Sequence, residues 1–355
     1  WHARLARRRV LEIKGPDTTK LLNGLVTNLI PTTAPQQQPP LPTHAAFLNA
    51  AGRILATAFL VPSEDPHRML LDADKSVFEP LLKHIQRRKL RSNVTLTDLS
   101  ETLTVVASCG GDGGGGSASG GFPSTGGPAE GASWADPRLQ SLGWRAITDS
   151  PESHVLAQSQ EVSPRLYDLC AAALGVGDDA LGLPPGDALP LESNLELLGS
   201  ISFDKGCYLG QELTARTHFR GVTRKRLMPA VLPSGDPLGT STLSESHPKL
   251  APLLDHLPTS ERDLLCHLPP NVAQLLEQPE SPTRPGQALS TVNGEPAGKI
   301  RCIDDTTGLG LALVRLHYRD VAPRDVGGPL FRPLLIEGGP EQLVVHRPSW
   351  WPSDL

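Results

Sequence analysis

One cysteine of this chain lies in a setting that could support thiol chemistry. Cys207 stands within Phe203–Glu212, which reads FDKGCYLGQE. Gly206 and Gly210 allow positive φ angles and a close approach of the backbone to another group. From Gln211 onward the pattern becomes helical. We therefore expect Cys207 on a tight loop just before or at a helix start, where the positive helix end favours a thiolate.

Other interpretations of this region stay open. A lone cysteine is more often a small buried apolar residue than a reactive one. His218 follows Cys207 by eleven residues, so a Cys–His nucleophilic pair is conceivable, although spacing alone does not support it. Glu192 could accept hydrogen bonds from a ligand or simply stabilise a helix N-terminus. An anionic group or the solvent could face the four arginines of this region, which are Arg216, Arg220, Arg224 and Arg226.

Several common types of site are not expected. The five cysteines include no CxxC pair, which argues against a zinc site built from cysteines, and their scattered odd number fits a reducing compartment. The HExxH, GxSxG and GK[ST] motifs do not occur, and the glycine-rich run at 111–116 is not flanked by a strand and a helix in the order that a phosphate-binding loop needs. A net charge of −5 argues against general nucleic-acid binding, and local basic runs such as 87–89 are typical of solvated faces. No apolar run approaches the length of a transmembrane helix.

The first part of the chain has the pattern of an α+β layer with an antiparallel sheet. A helical period predicts a helix at Lys75–Lys89, with Pro80 in its first turn, and a shorter helix ends near Gly24. A further helix is predicted at Pro164–Leu174, with Cys170 in the core. The predicted strands are Arg9–Ile13, Ala45–Leu48, Ile54–Val61, Arg68–Asp72, Val94–Asp98, Leu103–Ala107 and Gly143–Ile147.

Two segments have the composition of insertions. Residues 110–133 are rich in glycine and predict a flexible insertion, and residues 238–285 are rich in proline and serine. Short strands punctuated by glycine after residue 285 predict a small antiparallel β-barrel. We therefore predict a first domain at 1–222 and a barrel domain at 223–355.

Five sequence elements occur in an order typical of one family. Together they resemble the folate-binding relatives of the glycine-cleavage T-protein, and within these the mitochondrial iron–sulfur cluster assembly factors. The resemblance covers most of the chain outside the two insertions, and KGCYxGQE is its most specific element. The elements are LNGLVTN (22–28), FLNAAGRI (47–54), LRSNV (90–94), PLESNL (190–195) and KGCYLGQELTARTH (205–218).

The resemblance implies a fold and a function. The fold would be T-protein-like α/β layers around a central cavity, followed by a C-terminal antiparallel β-barrel. The protein would be an assembly factor rather than a classical enzyme. It would act with A-type iron–sulfur carrier proteins in the mitochondrial matrix and support [4Fe-4S] cluster maturation. Client enzymes with [4Fe-4S] clusters would depend on it indirectly, through these carriers. Cys207 would contact a transient cluster, whose other ligands must come from the partner because one thiolate cannot hold a cluster alone. The implied partner contacts around it are Lys205, Gly206, Tyr208, Gly210, Gln211 and Glu212.

The resemblance also suggests tetrahydrofolate. Glu192 matches the glutamate that T-proteins place against the pterin ring, and Arg226 and Asp74 are further candidate folate-binding residues. The transferase's aspartate is not clearly matched by Asp72 or Asp74, and the asparagines expected before it are missing. A tetrahydrofolate-dependent one-carbon transferase is therefore the alternative function, and a plain folate-binding module is a third.

Overall fold

The computed structural model describes residues 1–31, 41–108, 132–149, 160–233, 257–259, 261–262, 282–283, 285–291, 293–316, 332–337 and 341–353. Both predicted insertions fall largely outside these residues. The chain divides into two compact units, the first of Trp1–Pro164, Pro184–Leu191 and Leu195–Gly221, the second of Arg165–Leu183, Glu192–Asn194 and Val222–Leu355. The domain bounds 1–222 and 223–355 stay a prediction.

The first unit contains a five-stranded antiparallel sheet, flanked by a short helix α1 (Thr18–Asn23) and a longer helix α2 (Lys75–Lys89). The strands are β2 (Arg8–Lys14), β3 (Thr43–Leu48), β4 (Ile54–Pro62), β5 (Arg68–Asp74) and β6 (Thr95–Asp98). They lie in the order β3–β4–β5–β2–β6, so β2 pairs on both sides with strands that are distant from it in the sequence. These elements confirm the predicted layer of sheet and helix.

Helix α2 covers one face of this sheet because its apolar residues recur at helical spacing. Val77, Phe78, Leu81 and Ile85 are buried in a core that the strands share. The prediction for Pro80 was wrong, since it lies in the second turn. There it removes one backbone donor, yet the helix continues to Lys89.

A second, four-stranded sheet of the first unit consists of β1 (His2–Arg4), β7 (Thr104–Ser108), β9 (Trp144–Thr148) and β8 (Ala132–Ala135), in that order. A buried ion-pair network connects it with the first sheet. Asp72 on β5 accepts hydrogen bonds from Arg8 Nε on β2 and Arg145 Nη2 on β9, both at 2.6 Å. Burial opposes ionisation of Asp72, but the two guanidinium charges outweigh it and lower the pKa of the carboxyl group.

The second unit is built on an antiparallel barrel, as predicted. Its strands are β10 (Lys225–Val231), β11 (Pro282–Thr283), β12 (Ala288–Ser290), β13 (Pro296–Asp304), β14 (Leu309–Arg315), β15 (Arg332–Ile336) and β16 (Gln342–Val345). Six of them pair in the order β13–β12–β15–β16–β10–β14, and β14 pairs back with β13, which closes the barrel; β11 adds to β13. Helix α3 (Pro164–Ala173) belongs largely to this unit and buries Cys170, as expected.

Helix α4 (Gln211–Arg220) completes the regular structure of the first unit. It begins four residues after Cys207, as the change of pattern at Gln211 predicted. Among the described residues, no helix has both the length and the apolar character needed to cross a membrane.

Candidate functional site

Cys207 is the exposed thiol of the described structure. It lies in irregular backbone just before α4 and is not in a disulfide. The other two cysteines in the described ranges are Cys170, which is buried, and Cys302, which is partly buried in β13. Burial raises the pKa of Cys302 to about 12, so its thiol stays protonated at neutral pH. Of the described thiols, Cys207 is therefore the one that a partner can reach.

Lys205 anchors the loop that carries Cys207. Its Nζ donates hydrogen bonds to the carbonyl oxygens of Val26, at 2.8 Å, and Asn28, at 2.6 Å. The same ammonium lies 5.1 Å from the centre of the Tyr208 ring, within range of a cation–π contact. Burial lowers the pKa of Lys205 to about 8 and raises that of Tyr208 to about 12. Both side chains thus fix the loop from the inside, and Cys207 stands out between them.

Gly210 is needed where the loop passes close to the β3–β4 turn. Its φ is +80°, and a Cβ at this position would overlap the carbonyl oxygen of Asn49 and lie 2.8 Å from Leu48 Cβ. Gly206 does not behave as predicted, because its φ is outside the positive range and an added Cβ would meet no atom within 4 Å. Exposed Gly206 lies in open space, so of these two motif glycines Gly210 is the one required for a close approach.

The residues after Gly210 tie the loop to the helix. Gln211 Oε1 accepts a hydrogen bond from the backbone N–H of Tyr208 at 3.0 Å, which folds the side chain back over the loop. Glu212 is exposed in the first turn of α4, where its carboxylate interacts favourably with the helix dipole. A contact between these two residues and a partner stays a prediction.

The possible Cys–His pair gains no support from the structure. The ring of His218 stacks on Phe203, with centroids 3.6 Å apart and planes 12° apart. Phe219 packs edge-on against both rings and leaves 67% of its own surface exposed. His218 is therefore part of an aromatic cluster at the exposed side of α4.

A surface groove runs beside Cys207. Its volume is about 690 Å³, and it lies between α1, the loop that follows α2, and the segment 207–209. Four cationic side chains line it, together with the single carboxylate of Asp17. The cations are Lys20, Arg88, Lys89 and Arg91. The sequence interpretation of 87–89 as a solvated face missed this groove, although the LRSNV element marked the same loop.

Three of the sequence elements that carry the family resemblance meet at this loop. LNGLVTN supplies the carbonyls that bind Lys205 and the Gly24 oxygen that accepts from Leu209 N at 3.1 Å. FLNAAGRI supplies the turn that contacts Gly210, and LRSNV lines the groove. These three elements are far apart in the sequence, and together they hold the loop that carries Cys207 and line the groove beside it.

The candidate folate residues lie in both units. In the second unit, the backbone carbonyl oxygen of Glu192 accepts a hydrogen bond from the backbone N–H of Leu227 at 2.8 Å, so Glu192 lies close to the start of β10, where Arg226 is buried. Arg226 lies 6.0 Å from the Trp351 ring centre. In the first unit, Asp74 caps α2: its carboxylate accepts from Ser76 and from Arg7 Nη1 at 2.7 Å.

No described part of the chain gathers three or more His, Cys, Asp or Glu side chains in a way that could hold a metal ion. Within the described ranges, the protein therefore offers Cys207 no complete set of metal ligands. A cluster at this thiol would need its remaining ligands from another molecule, because iron–sulfur clusters are commonly held by four thiolates.

Comparisons with known proteins agree with this geometry. Residues 224–353 match the family described as CAF17, C-terminal beta-barrel domain. The glycine cleavage system aminomethyltransferase T from Bartonella henselae has a similar structure, with a TM-score of 0.61 at 13% identity, covering 99% of this chain and 86% of that protein. This likeness confirms the T-protein-like fold.

Relatives that match over nearly the whole of this chain identify the family. The "Iron-sulfur cluster assembly factor IBA57 homolog, mitochondrial" of Mycosarcoma maydis is 34% identical over 99% of this chain and 85% of its own length. The mouse protein "Iron-sulfur cluster assembly factor IBA57, mitochondrial" is 32% identical with the same coverage. The predicted resemblance is confirmed: this chain belongs to the IBA57 family of iron–sulfur cluster assembly factors.

Proposed function

We propose that this protein acts in mitochondria, in the matrix, where it binds a cluster-loaded A-type carrier protein and supplies Cys207 as one ligand of a shared cluster. The shared cluster would then take part in [4Fe-4S] maturation for client enzymes. Joining two [2Fe-2S]²⁺ clusters into one [4Fe-4S]²⁺ cluster takes two electrons, which an external low-potential electron donor must deliver.

The observation that carries this proposal is an exposed thiol on an internally anchored loop. Lys205 binds the carbonyl oxygens of the first sequence element, and Gly210 packs against the β3–β4 turn. These contacts fix the loop on its inner side, so Cys207 can keep a constant position while a partner approaches. Thiolate is a soft ligand that suits iron–sulfur clusters. With a single thiol at the site, the cluster is shared cargo rather than a resident cofactor.

Anaerobic reconstitution with the carrier tests the proposal. The complex is formed from the full chain and a carrier loaded with a [2Fe-2S] cluster, and its visible absorption and iron content are measured. Cys207→Ser should change the spectrum and lower the amount of cluster retained, because a thiolate ligand is lost. Cys302→Ser is the matched control, since this partly buried thiol in β13 has a pKa raised by burial to about 12 and stays protonated at neutral pH. An unchanged spectrum and iron content for Cys207→Ser would contradict the shared ligand.

Tetrahydrofolate fits the candidate residues only in part. Glu192 is half-buried next to β10 and could accept hydrogen bonds from pterin nitrogens. The Asp74 carboxylate is already engaged by Ser76 and Arg7, so it offers little to a ligand. We propose folate binding as a secondary property at Glu192 and Arg226, which calorimetry with tetrahydrofolate and Glu192→Ala would test. One-carbon transfer is not favoured, because the relatives that match over nearly the whole of this chain are named as assembly factors.

A further inference from the structure

The groove beside Cys207 is more positively charged than the protein that contains it. The whole chain carries a net charge of −5, whereas the groove has four cationic side chains and one carboxylate. Lys89 Nζ donates a hydrogen bond to the backbone carbonyl oxygen of Val94 at 2.6 Å. The Asp17 carboxylate accepts a hydrogen bond from the backbone N–H of Asn93 at 2.7 Å. Lys20, Arg88 and Arg91 have no carboxylate within ion-pair distance among the described residues.

A strained leucine stands at the edge of the same groove. Leu90 follows the last residue of α2 with φ 45° and ψ −109°, in a turn closed by a 2.7 Å hydrogen bond from Ser92 N to Lys89 O. This is the first central position of a type II′ turn, which glycine strongly favours. The side chain nevertheless projects into solvent and is 84% exposed. Backbone strain of this kind clusters at functional sites, which makes the exposed Leu90 side chain a candidate contact for a partner.

We propose that this groove docks an acidic segment of the iron–sulfur carrier, whose carboxylates pair with Lys20, Arg88 and Arg91 and whose apolar side chain packs on Leu90. The inference rests on the proposed function, because it assigns the occupant of the groove to the protein that brings the cluster. Charge complementarity selects an acidic partner, and the groove reaches Cys207 itself. Docking there brings the carrier's cluster to the thiol.

Charge reversal tests the docking surface. The dissociation constant of the full chain for the [2Fe-2S]-loaded carrier is measured anaerobically by fluorescence anisotropy at low and high salt. R88E/R91E should weaken binding by at least about tenfold at low salt and should flatten the salt dependence. The matched control is K83E/R87E, which makes the same charge change on exposed side chains of α2 that do not line the groove. The control should change the dissociation constant by less than about threefold.

Leu90→Gly provides a test that is independent of folding defects. Glycine relieves the strained turn, so the urea midpoint should not fall, while carrier binding should weaken because the apolar contact is lost. Unchanged binding for both R88E/R91E and Leu90→Gly overturns the docking surface, as does equal weakening by K83E/R87E.

The docking inference and the proposed function fail in different ways. At a saturating concentration of carrier, the R88E/R91E complex should have the same visible spectrum as the wild-type complex, because the ligands of the cluster are intact. Cys207→Ser should alter that spectrum even at saturation. A Cys207→Ser spectrum identical to wild type refutes the shared ligand, while weaker binding by R88E/R91E still supports charge-dependent docking. An altered Cys207→Ser spectrum together with unchanged binding by R88E/R91E and Leu90→Gly refutes the docking alone.

Discussion

Gly210→Ala probes the close approach that sets the position of the Cys207 loop. Gly210 has a left-handed backbone conformation, with φ +80° and ψ 4°, at the N-terminal cap of α4. An added methyl group would overlap the carbonyl oxygen of Asn49 and lie 2.8 Å from Leu48 Cβ. The neighbouring atoms belong to the backbone and to a buried strand residue, so neither can turn away freely.

The size of the effect follows from three contributions. A side chain in the left-handed region costs about 1–2 kcal/mol relative to glycine. Forcing a methyl group into a packed space costs about 1–3 kcal/mol. Restricting the unfolded chain offsets about 0.4–1 kcal/mol of this. We therefore expect Gly210→Ala to lower the free energy of unfolding of the first unit by about 1–5 kcal/mol, with the middle of that range at about 3 kcal/mol.

Urea unfolding measures this change. Circular dichroism and tryptophan fluorescence follow the transition, and the two units are fitted separately because two-state behaviour need not extend across both. Gly206→Ala is a matched control in the same loop, since its methyl group would meet nothing within 4 Å. The control should stay within about 0.5 kcal/mol of wild type.

Two results would refute this reasoning. A Gly210→Ala protein with the wild-type midpoint would mean that the loop is not held against the β3–β4 turn. Equal destabilisation by Gly206→Ala would mean that any change in this loop is harmful, whatever the local space. In either case the loop would not be the rigid support for Cys207 that the contacts indicate.

Two further predictions concern buried charge in the first unit. Asp72→Asn should lower the free energy of unfolding, measured in urea, by about 3–5 kcal/mol, because Arg8 and Arg145 lose their carboxylate partner. The control Glu79→Gln changes an exposed carboxylate and should alter the free energy of unfolding by less than about 0.5 kcal/mol. Similar values for the two variants would contradict the buried ion-pair network. Lys205 has a pKa of about 8 in the folded protein against 10.5 ordinarily, so between these values the unfolded chain binds more protons. The stability of wild type relative to Lys205→Met should therefore rise from pH 8 to pH 10, and a constant difference would show that burial does not lower this pKa.

Much of the fold could be predicted from residue patterns because the responsible interactions are local or periodic. The apolar stripe from Val77 to Ile85 specifies a helix, and the predicted bounds of α2 agree with the structure. Glycine-punctuated short strands indicated the barrel in the same way. Pro80 shows the limit of local rules, since a helix that buries such a stripe can tolerate the loss of one backbone donor in its second turn.

The site itself divides between what the sequence determined and what tertiary structure decided. The sequence alone singled out Cys207, because a thiol among glycines and polar residues in a specific motif is informative without coordinates. Only the fold showed that Lys205 faces inward, that Gly206 is unconstrained, and that Arg88 and Arg91 share a groove with the thiol. The position of Lys205 and the groove depend on segments more than a hundred residues apart, and local pattern contains no information about which distant backbone a side chain will meet.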